Sequence, residues 1–101
     1  MARSRYQTLA VEAGEYGIRV NCLSAAAVRG ERFMWVMSTR AKTAGTSVEE
    51  TIAREMVNYS LKRPTEEYEL ANTCVFLSSD EASAITGQTI VANCGQHISF
   101  R

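Results

Sequence analysis

The chain has 101 residues and a mass of 11.2 kDa, with 46% apolar residues, 22% charged residues and eleven Lys+Arg against eleven Asp+Glu. That length admits one domain at most, spanning residues 1–101, and by area scaling a compact chain of this mass exposes about 5,700 Å² and buries roughly 65% of its unfolded surface. Zero formal net charge removes the electrostatic case for a nucleic-acid partner, and no apolar run approaches the ~20 residues of a membrane span, so a cytoplasmic setting without a membrane partner is expected.

Taken in chain order, Tyr6, Leu9, Ala10 and Ala13 form one stripe of a helix over residues 3–15, which Gly14 and Gly17 end. Ile18-Arg19-Val20-Asn21-Cys22-Leu23 then alternates, predicting a strand over 17–23 with Ile18, Val20 and Cys22 on one face. Over residues 30–44, Phe33, Met34, Val36, Met37, Ala41 and Ala44 cluster on one side of a helix. Trp35 points away from that side and either packs under a neighbouring helix or contacts a substrate or subunit. Ser47-Val48-Glu49-Glu50 reads as a capping box opening a helix over 48–59, with Val48, Ile52, Met56 and Tyr59 on its apolar face. Pro64 ends the connection, and Thr65 caps a helix over 66–78 that carries Glu66 and Glu67 in its first turn and buries Leu70, Ala71, Cys74, Val75 and Leu77. Ser78-Ser79-Asp80 caps one further turn, and Gly87 introduces a strand over 88–92.

Two strands separated by helices are expected to be parallel, joined by a right-handed crossover. A two-stranded parallel sheet has two open edges and wants cover on both faces, so the chain reads as part of something larger. Cys22, Cys74 and Cys94 are widely spaced in apolar or small-residue settings, as reduced buried thiols are. Cys94 with His97 is the only ligand-like spacing, and a metal needs three or four ligands, so no metal site is expected.

Leu9-Ala10-Val11-Glu12 followed by Tyr16-Gly17-Ile18-Arg19-Val20-Asn21 resembles the segment after the active-site helix of short-chain dehydrogenases/reductases. A second block, Glu66-Glu67, Val75-Phe76-Leu77-Ser78-Ser79-Asp80, Ile85-Thr86-Gly87-Gln88-Thr89-Ile90 and Cys94-Gly95, is similar to that family's C-terminus, and the two blocks together cover residues 6–95. The resemblance implies an α/β fold: a partial Rossmann-like structure of two parallel strands and about four helices, the C-terminal part of a doubly wound sheet. It also implies an oxidoreductase using NAD or NADP as a full-length member. The family's glycine-rich phosphate turn and its Ser with Tyr-x-x-x-Lys are absent: four residues after Tyr6, Tyr16, Tyr59 and Tyr68 stand Ala10, Val20, Arg63 and Asn72. No cofactor and no catalytic residue are therefore expected of this chain alone, and Met1, falling where the family has the middle of a helix, suits a truncation.

Further departures concern the loop that faces the nicotinamide in similar proteins. The usual Pro-Gly looks like Ala25-Ala26, and a usual Thr looks like Gly30. By position only, Ala25, Ala26 and Val28 are the cofactor-side candidates, and Ala restricts the close approach that Gly permits. The usual Asp-Gly-Gly looks like Asn93-Cys94-Gly95. Residues 24–62 correspond to the substrate lid, with Phe33, Met34, Trp35 and Met37 its candidate contacts; the alternative is a packing subdomain.

Two functions follow: the C-terminal part of such an oxidoreductase, silent alone, or a stand-alone oligomerisation module. A small metal- or acyl-binding protein rests only on Cys94/His97 and the Met/Trp-rich helix. In similar proteins the last strand and the 65–79 helix form one subunit contact and the first helix here contributes to another. An apolar face through Ile18, Val20, Ile90 and Val91 adds to the expectation of a homo-oligomer, a dimer or tetramer.

Overall fold

The structure is a computed structural model in which residues 4–96 are described. It opens with α1 (Arg5–Gly14), whose N-terminus is closed reciprocally: the Ser4 hydroxyl accepts from the Gln7 amide while the Gln7 side chain accepts from the Ser4 amide. The chain turns at Gly17, where φ is +71°, and runs extended into β1 (Cys22–Ser24). A short β2 (Val28–Arg29) leads into α2 (Glu31–Ala44), which ends on Gly45 in the left-handed conformation and folds back as α3 (Val48–Glu55). A 3-10 turn (Met56–Asn58) follows α3. Then come β3 (Thr65–Glu66), α4 (Glu67–Ser78), a second 3-10 turn (Asp80–Ala82) and β4 (Thr89–Val91).

β1 and β4 are parallel neighbours with Cys22 opposite Thr89 and Ser24 opposite Val91, as the crossover rule requires. The strand expected over 17–23 is shorter at its start. Residues 18–21 are extended, but their polar groups are met by a loop and its side chains: Gly87 donates to Val20 O at 2.7 Å, Val20 N donates to Thr86 Oγ1 at 3.1 Å, and Gln88 N donates to Asn21 Oδ1 at 3.1 Å. A second parallel pair, β2 with β3, has no counterpart in the sequence reading. Two residues on each side are too short for a period-2 signal, and Val28 opposite Thr65 carries the pairing.

The core does not lie under the sheet. Met37, Ala41, Met56, Tyr59, Pro64 and Thr65 are buried where the α2–α3 hairpin meets the 59–65 connection. Residues 93–96 clamp this region: Ser60 N donates to Gly95 O and Leu61 N to Cys94 O, with an antiparallel bridge between Tyr59 and Gln96. Gly95 has φ +72°, and a Cβ there would stand 2.5 Å from Ser60 Cβ, so only glycine closes the clamp.

Three expectations about packing change. α4 buries no residue: of the five residues expected on its buried face, Val75 is 69% exposed, Ala71 and Cys74 are exposed, and Leu70 and Leu77 are half-buried, because the sheet beneath has two strands instead of a full layer. Ser47 does cap Glu50 N, but the Glu50 carboxylate pairs with Arg54 instead of returning to the cap. Ile90 and Val91 are consecutive in β4 and project to opposite faces, so the four-residue apolar face does not exist as one surface, although Ile18 and Val91 are each more than half exposed.

Met56 is fully enclosed, so Met56→Ala is expected to lower unfolding free energy by about 2–5 kcal/mol. Val75→Ala, on the open face of α4, is expected to change it by under about 0.5 kcal/mol. Urea denaturation of the two variants checks the ranking.

Candidate functional site

In a parallel α/β sheet, ligands bind beyond the carboxyl ends of the strands. Here those ends are Ser24 and Val91, and the chain leaving Ser24 forms the loop 25–30. The loop is held by the second ladder. Thr65 N donates to Ala27 O at 3.0 Å, and Arg29 Nε donates to Glu66 Oε2 at 2.9 Å. Arg29 Nη1 also reaches Met34 Sδ at 3.9 Å, tying the loop to the first turn of α2.

Between loop and helix lies a cavity of about 540 Å³ whose lining includes Ala26, Val28, Glu31, Arg32, Phe33 and Glu67. Of the positions singled out from sequence, Ala26, Val28 and Phe33 meet at this cavity. Ala25 is exposed and lies outside it. Met34 is engaged by Arg29, Met37 is 3% exposed within the core, and Trp35 is 68% exposed. The packing alternative for Trp35 is therefore corrected: Trp35 is exposed to solvent, whereas Met37 and Ala41 of the same helix are buried.

Glu67 was not among the candidates. Its carboxylate reaches over the start of α2, with Oε2 3.3 Å from where a Cβ on Gly30 would stand. The only hint in the sequence is its place in an acidic helix start, which the macrodipole explains without a site.

The N-terminus of α4 is fixed by a bidentate pair. Arg63 donates to both Glu69 carboxylate oxygens at 2.7 and 2.9 Å, while Glu69 Oε1 also accepts from Glu66 N. Glu66, not Thr65, is the capping residue; Thr65 is 2% exposed and directs its hydroxyl to Ala92 O and Cys94 Sγ. The Arg63 guanidinium, and then the Glu66 amide, hold the Glu69 carboxyl down at about 2, and Glu69 in turn raises Arg63.

The motif Arg19-Val20-Asn21 gains a physical meaning. Arg19 donates to Ser79 O and Ile85 O, and Asn21 Nδ2 donates to Ile85 O at 2.9 Å, so these side chains fasten the 79–88 connection to the entry of β1. Cys22 and Cys94 are half-buried, whereas Cys74 is exposed, against the expectation of three buried thiols. Among the described residues no group of three His, Cys, Asp or Glu is placed to hold a metal ion, and His97 of the Cys94/His97 pair lies outside them. No helix of the described residues is long and apolar enough to cross a membrane.

The described residues thus form part of an α/β fold of parallel strands, with a cavity beside the loop that leaves β1 at its carboxyl end. The family described as enoyl-(acyl carrier protein) reductase matches residues 2–97, and the chain belongs to the short-chain dehydrogenase/reductase family. An enoyl-(acyl-carrier-protein) reductase (NADH) of Bacillus cereus is 37% identical over 91 residues, which are 89% of this chain and 32% of that protein. A short chain dehydrogenase/reductase of Aspergillus oryzae is 37% identical over 89 residues, 88% of this chain and 31% of that protein. The chain thus spans about one third of the curated relatives it matches. Among solved structures, L-sorbose reductase of Gluconobacter frateurii, complexed with NADPH and L-sorbose, superposes with a TM-score of 0.85 at 25% identity, covering 94% of this chain and 36% of that one. A short chain dehydrogenase family protein of Francisella tularensis gives 0.81 at 27% identity, covering 90% and 38%.

The Glu69 shift has a pH consequence. A carboxyl held at about 2 when folded, against 4.5 ordinarily, stabilises the fold above pH 4.5, and that contribution drains away as pH falls from about 4.5 towards 2. Arg63→Ala is expected to be less stable than the parent at pH 6, with the gap closing towards pH 2. Denaturation midpoints of both proteins across that range measure it.

Proposed function

We infer that this chain supplies the C-terminal portion of an NAD(P)-dependent short-chain oxidoreductase and performs no hydride transfer alone. The observation that carries the reading is the parallel β1–β4 pair with the 25–30 loop and its cavity at the carboxyl end, in a sequence without a Tyr-x-x-x-Lys pair or a glycine-rich phosphate turn. In this reading Ala26 and Val28, preceded in the same loop by Ala25, border the nicotinamide side. Phe33 and Met34 begin the substrate wall, and the α2–α3 hairpin within residues 24–62 serves as the lid. Residues 1–101 act as one unit, in the cytoplasm, and the cofactor, NAD or NADP, is held mainly by residues outside this stretch.

A second reading, an oligomerisation module, is favoured by one observation. α4 carries apolar residues around much of its circumference and leaves Tyr68, Val75 and Phe76 exposed, while Val91 of β4 is 54% exposed. Helices apolar on all sides are ordinarily covered. A homodimer or tetramer built on α4 and β4 covers them, and this association is compatible with the first reading.

Titration of NADH or NADPH into the isolated chain, followed by fluorescence, is expected to show no saturable micromolar binding. Co-expression with the part of the Bacillus cereus reductase that precedes its matched segment is expected to yield a complex that binds NADH. Micromolar binding by the chain alone, or no complex, contradicts the first reading. For the association, light scattering at low micromolar concentration is expected to give at least twice 11.2 kDa. Val91→Lys is expected to shift it towards monomer, because a charge on a covered strand is costly to desolvate. A parent monomer indifferent to that substitution removes the oligomer from the reading.

A further inference from the structure

The cavity beside the 25–30 loop carries its own charge pattern. Ala26, Ala27, Val28, Phe33 and Val36 make it largely apolar, and its volume of about 540 Å³ lies within the range of small-ligand sites. Its ionic groups are Glu31 and Glu67 against Arg32. Beyond Arg32 the nearby cations are committed elsewhere, Arg29 to Glu66 and Arg63 to Glu69, so the lining keeps one negative charge in excess. Among the described residues Glu67 has no ion-pair partner.

Where Glu67 sits gives this pattern its direction. α2 begins at Gly30 with no side-chain cap, so its first amides form a positive end beside the cavity. The Glu67 carboxylate stands over that end, against Gly30. An anionic ligand group entering the cavity meets a carboxylate beside the helix end that would otherwise attract it. A Cβ at residue 30 would stand 3.3 Å from Glu67 Oε2, a tight contact that the carboxylate relieves by shifting a few tenths of an ångström.

We propose that Glu67 is a specificity-determining residue: it biases the cavity towards uncharged, predominantly apolar ligand groups and against carboxylates and phosphates. This rests on the reading that the cavity is the ligand end of the fold and names the class of group it admits. Residue 67 acts by like-charge repulsion in a partly solvated site, so its effect is a severalfold preference that salt weakens.

The test uses the 101-residue chain and a pair of ligands of one shape, hexanamide and hexanoate, titrated at pH 7 and followed by the backbone amide signals of residues 26–36. Hexanamide is expected to bind about three- to fivefold more tightly than hexanoate, a span set by the strength of partly exposed charge pairs. Glu67→Gln is expected to bring the ratio close to one by improving hexanoate while leaving hexanamide unchanged, and Glu49→Gln, on the outer face of α3, to leave the ratio alone. Binding of both ligands without a charge preference, or a preference that survives Glu67→Gln, overturns the specificity role and leaves the family reading standing. Cavity signals indifferent to both ligands overturn the specificity role as well, and they also remove the cavity from the proposed function, whose own test is complementation by the upstream strands.

Discussion

Parallel pairing of β1 with β4 joins segments nearly seventy residues apart in sequence, as the Gln88-to-Asn21 contact at a separation of 67 illustrates, and everything between must return over the sheet. The flanking bonds, Cys22 N to Gln88 O and Ala92 N to Ser24 O, set the phase of the ladder: Cys22 and Ser24 direct their amides and carbonyls to β4. Leu23 therefore turns its own amide and carbonyl to the opposite edge, which no described strand covers. A parallel strand in the interior of a sheet is bonded on both sides, and a lone pair of such strands leaves strong hydrogen-bonding groups to water.

This constraint explains the uneven burial. Because the sheet offers little area, its side of α4 stays open, and the chain exposes 7424 Å² in total, above the roughly 5,700 Å² of a compact monomer of this mass. Among the described residues the largest buried cluster is the α2–α3 hairpin with the 59–65 connection, closed by the Gly95 clamp, with Ala10 and Ala82 buried apart from it. Polar side chains do what packing does not: Arg19 and Asn21 fasten the 79–88 connection, Arg29 with Glu66 fixes the 25–30 loop, and Arg63 with Glu69 fixes the start of α4. Charge-assisted bonds of this kind hold geometry, and their net contribution to stability is modest where they meet solvent.

Much of the architecture is legible in the sequence because its elements carry strong local signals. All four helices lie within a few residues of their periodic patterns, and the parallel strand pair follows from the spacing of Cys22–Leu23 and Thr89–Ile90 around helical segments. The misses share a cause, namely that local pattern does not report what lies across from a residue. Cys74 and Val75 look buried on a helical wheel but are exposed, and Trp35, which looks as if it needs a neighbour, is 68% exposed. At the cavity, Ala26, Val28 and Phe33 were placed by family position. Glu67 escaped because its contact with Gly30 joins two helix starts far apart in sequence.

The central claim, that the Leu23 edge of β1 is left unpaired by the described strands, is tested most directly by hydrogen exchange resolved to single amides. In the isolated chain at concentrations below self-association, Cys22 and Ser24 are predicted to be protected by β4 while the Leu23 amide between them exchanges at a rate close to that of an open strand edge. Supplying the upstream strands is predicted to slow Leu23 to the rate of its neighbours. Leu23 as protected as Cys22 in the dilute isolated chain would contradict the account, because the edge it calls open would already be closed.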